Sequence, residues 1–187
     1  MYWALDLETS GLAERTDRIL SVGMVPIRAG AIRWGERYYS LVRPPDATRL
    51  SESGIPAHHI LPSELQGAPP IAEVLAEIDR RIAQGVLLLH FSSIDLVFLR
   101  RAFREAGRRW PHPPTVDTVN LLGQLDRRRA YLDPHAAALP TGLSEARAQL
   151  GLPPHDAHHA LSDALATAEL MLALRSRLGA KTLKDLR

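Results

Sequence analysis

The chain has 187 residues, of which 45% are hydrophobic and 24% are charged, and its formal net charge is +2. This composition excludes a disordered protein and indicates one domain, over residues 1–187, that is long enough to bury a core. The absence of cysteine excludes disulfides and thiolate metal sites, so carboxylate and imidazole groups are the side chains available for metal binding.

The first predicted element is an apolar strand in residues 2–12 that ends at a Ser-Gly turn. Because side chains alternate along a strand, Asp6 and Glu8 share one face, while Leu5 and Leu7 point to the other, into the core. Two like charges on one face repel each other, so a divalent cation is their natural partner. The alternative is an edge strand with two solvated acids, which is the commoner meaning of an isolated Asp-x-Glu.

Targeting signals and membrane spans are not predicted. Residues 1–12 lack the features of a signal peptide, and no apolar run approaches about 20 residues, so we expect a soluble cytoplasmic protein with no membrane partner. Lys181 and Lys184 are the only lysines, so nearly all cationic side chains are arginine. Arginine suits phosphate and also reflects a GC-rich genome, which makes it weak evidence for a nucleic-acid partner.

A hairpin follows the first strand. Residues 18–25 and 31–42 are rich in strand-forming residues, and residues 28–30 supply the turn. In residues 44–70, prolines and serines interrupt any regular spacing of apolar residues, which predicts a long surface arm with one short helix. Pro70 then opens an amphipathic helix that ends at Gly85. Its apolar face consists of Ile71, Val74, Leu75, Ile78 and Ile82.

The next elements are a strand and a helix. Residues 86–89 are a fully apolar, buried strand, and helical spacing starts near Asp95 and continues to Gly107. Asp95 therefore lies at a helix start near the end of a buried strand, where sites in open α/β sheets gather. The alternative for Asp95 is a simple helix cap.

The region from residue 115 to residue 151 is predicted to contain a short strand at 115–119 and helices at 120–125 and 143–150. We interpret Asp117 as a structural cap and residues 127–142 as a mobile loop with a helical turn. The next stretch contains three histidines and becomes a long helix. Its inward residues are predicted to be Leu161, Ala164, Leu165, Ala168, Leu172 and Leu174.

The histidines precede this last helix. His158 and Asp163 are five residues apart across the helix entry and can face one cavity. A structural zinc cluster usually includes thiolates, and the chain has none. For His155 and His159 we favour a surface histidine run.

Four acids near the ends of strands or the starts of helices form a candidate site with His158: Asp6, Glu8, Asp95 and Asp163. Four carboxylates and no thiolate suit hard cations such as Mg²⁺ or Mn²⁺. Residues 6–12, 90–95 and 158–164 resemble, in order, the three motifs of the DEDDh exonucleases, and residues 116–118 add a subsidiary match. That family includes the proofreading ε subunit of bacterial DNA polymerase III, ribonuclease T and oligoribonuclease.

The resemblance implies an α/β, ribonuclease-H-like fold with a five-stranded mixed sheet, in the order 3-2-1-4-5, flanked by helices. It also implies two divalent metal ions, Mg²⁺ or Mn²⁺, bound by the four acids, with His158 as the general base. Thr9 and Leu12 are expected to contact the terminal nucleotide. In the second motif, which begins at His90, the family usually has Asn and Phe where this chain has Phe91 and Ile94. We include His90, Phe91 and Ile94 in the expected substrate-binding set.

The resemblance predicts a metal-dependent 3′–5′ exonuclease that releases nucleoside 5′-monophosphates from single-stranded ends. DNA is favoured because residues 6–12 look closest to the ε-like branch. The alternatives are an RNA-trimming exoribonuclease of the same family and a module that only binds nucleic acid or a polymerase. The expected partners are a single-stranded DNA or RNA 3′ end and a polymerase or repair protein. Since the chain ends soon after Leu186, we expect stand-alone action or contact through another surface.

Arginines cluster in two places, and two interpretations of them remain open. They line the approach of the substrate's phosphates, or they form a solvated helix face. These arginines are Arg100, Arg101, Arg104, Arg108, Arg109 and the run at residues 127–129.

Overall fold

A computed structural model of the chain describes residues 1–45, 60–83 and 85–186. Most of the predicted surface arm, residues 46–59, lies outside the described residues. The strands are β1 (Tyr2–Thr9), β2 (Ile19–Arg28), β3 (Ala31–Ile32), β4 (Tyr38–Leu41), β5 (Val86–Leu89) and β6 (Thr115–Asp117). The helices are α1 (Pro62–Gln66), α2 (Ile71–Ile82), α3 (Ser92–Glu105), α4 (Thr118–Leu132), α5 (Leu143–Gln149) and α6 (Ala160–Leu178). Two 3₁₀ helices span Trp34–Glu36 and Lys184–Leu186.

The strands form one mixed sheet in the order β3-β2-β1-β5-β6, and β4 also pairs with β2. β1 is antiparallel to β2 and parallel to β5, and β5 is parallel to β6. This confirms the predicted fold and strand order. The sheet has six strands because the 3₁₀ helix at Trp34–Glu36 divides the predicted third strand into β3 and β4. The predicted turn into β3 has positive φ at Ala29 (51°) and Gly30 (75°), as two-residue hairpin turns require.

The sheet is covered on both faces. Leu87 and Leu89 of β5 belong to a buried cluster with residues of α2 and α3, whereas Leu88 belongs to a second cluster with residues of α4, α5 and α6. Burial on both faces explains why the sequence of β5 is apolar without alternation. None of the helices in the described ranges combines the length and the apolar character that a membrane span requires.

Two predictions about helices are wrong in part. α4 continues through the arginine run to Leu132 instead of giving way to a loop at residue 127, because arginine is a good helix former and Pro134 comes only after the helix ends. In α6, Leu161, Leu165 and Leu172 are only partly buried. The fully buried residues of α6 include four alanines and Thr167, because small side chains let this helix lie close to the sheet.

The first turn of α6 meets the sheet at Gly23 of β2, which pairs with Asp6 of β1. A Cβ atom on Gly23 would lie 2.2 Å from the carbonyl oxygen of Ala160. Only glycine therefore allows the first turn of α6 to rest on β2. This contact brings the start of α6 next to the acidic half of β1.

Candidate active site

The candidate site lies at the edge of the sheet where β1, β5 and β6 have their carboxyl ends. β1 pairs with β5 only as far as Ala4, so the part of β1 that carries Asp6 and Glu8 extends beyond that pairing. α3 and α4 begin directly after β5 and β6, which brings two helix starts to the same edge. This is the crevice in which open α/β sheets place their ligands.

Asp95 lies in the first turn of α3 and is only 6% exposed. Asp117, at the end of β6, accepts hydrogen bonds from the backbone N–H groups of Val119 (2.9 Å) and Ser92 (2.8 Å). The prediction that Asp117 is a cap is therefore confirmed, and it joins the start of α3 to the start of α4. This arrangement fixes the turn that carries Asp95.

Asp163 lies in the first turn of α6 and is bonded to the loop before the helix. Its Oδ2 accepts a hydrogen bond from the backbone N–H of His158 (3.0 Å), and its Oδ1 lies 2.9 Å from Nε2 of His155. Asp6, Glu8 and Asp163 each offer one oxygen, and these oxygens lie within 4.8 Å of one another. Three carboxylates from two distant parts of the chain thus converge.

Asp95 lies outside that group of three but interacts with it electrostatically. Burial, and then the charges of Asp95 and Asp163, raise the pKa of Asp6 well above its ordinary value. Burial and the charge of Asp163 raise the pKa of Glu8 to about 8. Burial, together with the charges of Asp117 and Glu8, raises the pKa of Asp95 to about 8. The four acids therefore repel one another in a poorly solvated pocket.

The donor atoms of this pocket fit a hard divalent cation. Asp6, Glu8 and Asp163 each offer a carboxylate oxygen, and these oxygens are close enough together to share one ion. Burial raises the pKa of Asp163, although contacts with His158 and His155 oppose that shift. A cation among Asp6, Glu8 and Asp163 supplies the positive charge that these carboxylates need in order to ionise together.

The histidine loop, residues 151–159, connects α5 to α6. His158 is exposed and has φ of +65°, in the left-handed region. Arg147 of α5, which is 2% exposed, donates hydrogen bonds to the carbonyls of Pro153 (2.9 Å) and Ala166 (2.8 Å) and lies 2.7 Å from the Glu169 carboxylate. Arg147 therefore ties the histidine loop to α6.

The expectation that His155 belongs to a surface histidine run is wrong, because its side chain is 8% exposed and lies against Asp163. His159 is exposed and stacks on Tyr39, with ring centroids 4.8 Å apart. No sequence pattern indicates the position of His155, since it depends on the path of the loop that Arg147 binds. Sequence reasoning missed this residue.

The predicted substrate-binding residues divide into two groups. Leu12 is 78% exposed, and Phe91 and Ile94 are also exposed, so three apolar side chains are available to a ligand at this edge. Thr9 and His90 are engaged within the protein. The Thr9 hydroxyl donates to the Gly11 carbonyl (2.8 Å), and Nδ1 of His90 lies 2.7 Å from the Thr118 hydroxyl.

Comparisons with known sequences identify relatives over most of the chain. The RNase_T family model, described as an exonuclease, matches residues 3–171. A PolC-type DNA polymerase III from Thermotoga maritima is 30% identical over 169 residues, which is 90% of this chain and 11% of the polymerase. The corresponding polymerase from Clostridium perfringens is 26% identical over 170 residues, again 11% of its length. The chain thus spans only about a ninth of these relatives.

Solved structures with the same fold include exonuclease I of E. coli. Its zinc-bound complex with single-stranded DNA superposes with a TM-score of 0.78 at 19% identity, over 95% of this chain and 41% of the other. Its complex with a dA16 oligonucleotide gives a TM-score of 0.77 at 18% identity, over the same shares of the two chains. At this identity the likeness establishes the fold.

Proposed function

The chain belongs to the exonuclease family, and from that premise we propose that it is a metal-dependent 3′–5′ exonuclease acting on single-stranded ends, DNA in preference to RNA. The observation that carries the proposal is the convergence of Asp6, Glu8 and Asp163 within 4.8 Å, with Asp95 interacting electrostatically. The products are nucleoside 5′-monophosphates. Residues 1–187 act as a single exonuclease domain.

In this proposal, two divalent ions, Mg²⁺ or Mn²⁺, are bound by Asp6, Glu8, Asp95 and Asp163. When bound, such ions lower the pKa of an attacking water and neutralise the leaving 3′ oxygen. His158 accepts the proton of that water near neutral pH, the task of a general base. Its exposed position beside Asp163 suits this role, because the imidazole can reach both the site and the solvent.

The terminal nucleotide meets Leu12, Phe91 and Ile94, which are exposed and apolar and suit the faces of a base. Thr9 and His90 support the pocket from within the protein, because the Thr9 hydroxyl is bonded to Gly11 and Nδ1 of His90 lies against the Thr118 hydroxyl. Phe91 replaces a polar family residue with an aromatic ring, so base stacking takes the place of a hydrogen bond.

DNA is preferred in this proposal because the relatives are DNA polymerases and the exonuclease I neighbours contain single-stranded DNA. A polymerase or repair protein is the expected partner, since the matching segment of the relatives is part of a polymerase chain. We expect a cytoplasmic enzyme, because such substrates lie there.

The test is digestion of 5′-labelled DNA and RNA oligomers of matched sequence in Mg²⁺ and in Mn²⁺. We expect shortening from the 3′ end, faster on DNA, and no shortening with Asp6→Asn, Glu8→Gln or Asp163→Asn. Glu73→Gln is the control for Glu8→Gln, because Glu73 is exposed on α2. Wild-type rates in both aspartate variants would show that the site is assigned wrongly. Faster RNA digestion would favour the RNA-trimming alternative.

A further inference from the structure

An arginine groove lies beside the candidate site. It is an open cavity of about 390 Å³ between α3 and the loop that follows β1. Its lining includes Glu14 and Arg15 from the loop and Val97, Arg100, Arg101 and Arg104 from α3.

The arginine groove continues from the apolar residues of the site. α3 begins at the site with Asp95 in its first turn, and Arg104 follows nine residues later, a distance of about 14 Å at 1.5 Å per residue. Ile94, Val97 and Arg101 follow one another at helical spacing and share a face of α3. On the other side of the groove, Arg15 comes three residues after the exposed Leu12.

The cations of the arginine groove are of two kinds. Arg101 is buried, its guanidinium donates to the carbonyls of Glu14 and Asp17, and Glu105 lies 3.5 Å away, so it forms the floor and ties the loop to α3. Arg15, Arg100 and Arg104 are exposed, and among the described residues their side chains have no hydrogen bond or ion pair.

Arg80 of α2 and Arg108, which follows α3, are different, because acids neutralise them. Arg80 pairs with Glu77 at 2.8 Å, and Arg108 pairs with Asp79 at 3.2 Å. The contrast indicates that the arginine groove receives an anion from outside the protein.

Resting on the proposed function, we infer that the arginine groove binds the phosphates of the substrate strand upstream of its 3′-terminal nucleotide. Guanidinium groups form paired hydrogen bonds with phosphate oxygens. A single strand whose terminal nucleotide lies at Leu12 and Ile94 presents its next phosphates along α3. Val97 offers an apolar contact between Ile94 and the exposed arginines of α3.

The test compares two double variants that remove the same charge. Arg100→Gln with Arg104→Gln removes two of the three exposed arginines of the arginine groove, and Arg80→Gln with Arg108→Gln is the matched control on the paired arginines. Binding of a 5′-fluorescent, single-stranded octanucleotide is followed by anisotropy in Ca²⁺ across a salt series. Turnover is measured with the nitrophenyl ester of thymidine 5′-monophosphate, which has no upstream phosphate.

The groove variant is expected to bind the octanucleotide at least about 10-fold more weakly at low salt. Its slope of log affinity against log salt falls by about 1.4, which corresponds to two phosphate contacts on a single strand. Ester hydrolysis is unchanged in both variants. Equal loss of binding in the two variants, or a matching loss of ester hydrolysis in the groove variant, would overturn the inference. Absence of ester hydrolysis in the wild-type protein would instead contradict the proposed function.

Discussion

The candidate site joins two halves whose backbones are held differently. Asp6 and Glu8 lie on β1 in the middle of the sheet, and Asp95 lies in a helix turn that Asp117 caps. The other half is the histidine loop, where His158 is exposed and has φ of +65°. Regular elements thus position the charged groups, and an irregular loop carries the group assigned to proton transfer. Ion binding requires fixed ligands, whereas proton transfer requires access to water.

Asp163 connects the two halves. It lies in a regular helix, yet both of its oxygens contact the histidine loop, through the backbone of His158 and the ring of His155. The loop in turn depends on Arg147, which binds Pro153. Changes to the two halves are therefore expected to separate metal binding from proton transfer.

The largest effect is expected from Asp6→Asn, which removes a central carboxylate from the fixed half. Nuclease activity should fall to background, because the neutral amide is a poor ligand for a divalent ion. The variant should also melt at a higher temperature than the wild-type protein in chelator at pH 8, since repulsion among the acids is relieved. Calorimetry of both proteins measures this, and a lower melting temperature would contradict the account of repulsion.

His158→Ala should lower kcat by about 10²- to 10⁴-fold, the usual contribution of a general base. Mn²⁺ affinity should stay within a few-fold of the wild-type value, because the backbone N–H that bonds to Asp163 remains. Titration calorimetry with Mn²⁺ beside steady-state kinetics separates the two quantities. Loss of Mn²⁺ binding would place His158 with the metal-binding half.

His155→Ala sharpens the comparison, because His155 belongs to the loop but contacts a carboxylate of the fixed half. We expect about 10-fold weaker Mn²⁺ binding, the usual effect of removing a group that orients a metal ligand. At saturating Mn²⁺, kcat should be nearly normal. His159→Ala is the control, since that side chain stacks on Tyr39 and forms no hydrogen bond or ion pair with the acids among the described residues. Identical Mn²⁺ affinity in both variants would contradict an orienting role.

The mildest perturbation is a change of pH in the absence of metal, which acts on stability. The pKa values of Glu8 and Asp95 rise from 4.5 and 3.8 to about 8 on folding, so the folded state binds more protons than the unfolded state between these limits. The free energy of unfolding should therefore fall as the pH rises from about 4 to about 8. Melting temperatures in chelator should show this decline, and Mg²⁺ or Mn²⁺ should reduce it by binding the ionised acids. A melting temperature that rises over this range would contradict the prediction.

Local patterns were sufficient for the parts of the fold that depend on neighbouring residues. Alternation in β1 correctly places Asp6 and Glu8 together, and apolar spacing after Pro70 correctly predicts α2. The cap at Asp117 also followed from sequence, because a short acidic side chain directly before a helix commonly accepts hydrogen bonds from the first N–H groups of that helix.

Features set by distant contacts could not be predicted. The burial of His155 depends on the loop that Arg147 binds, and nothing near His155 in the sequence encodes that contact. The prediction placed Leu161 and Leu165 on the buried face of α6 because leucine is strongly apolar. The structure buries alanines there instead, because the helix lies too close to the sheet for larger side chains. The interruption of the third strand at Trp34–Glu36 likewise leaves no clear local signal.

Gly23 has a consequence for the spacing of the carboxylates. Mg²⁺ needs oxygens at about 2.0–2.1 Å and Ca²⁺ at about 2.3–2.6 Å, so a few tenths of an ångström separate a tight cage from a loose one. A methyl group on Gly23, 2.2 Å from the Ala160 oxygen, would push the amino end of α6 outward by more than that margin and take Asp163 away from Asp6. A missing side chain on β2, which binds nothing itself, therefore lets Asp163 lie close to Asp6 and Glu8.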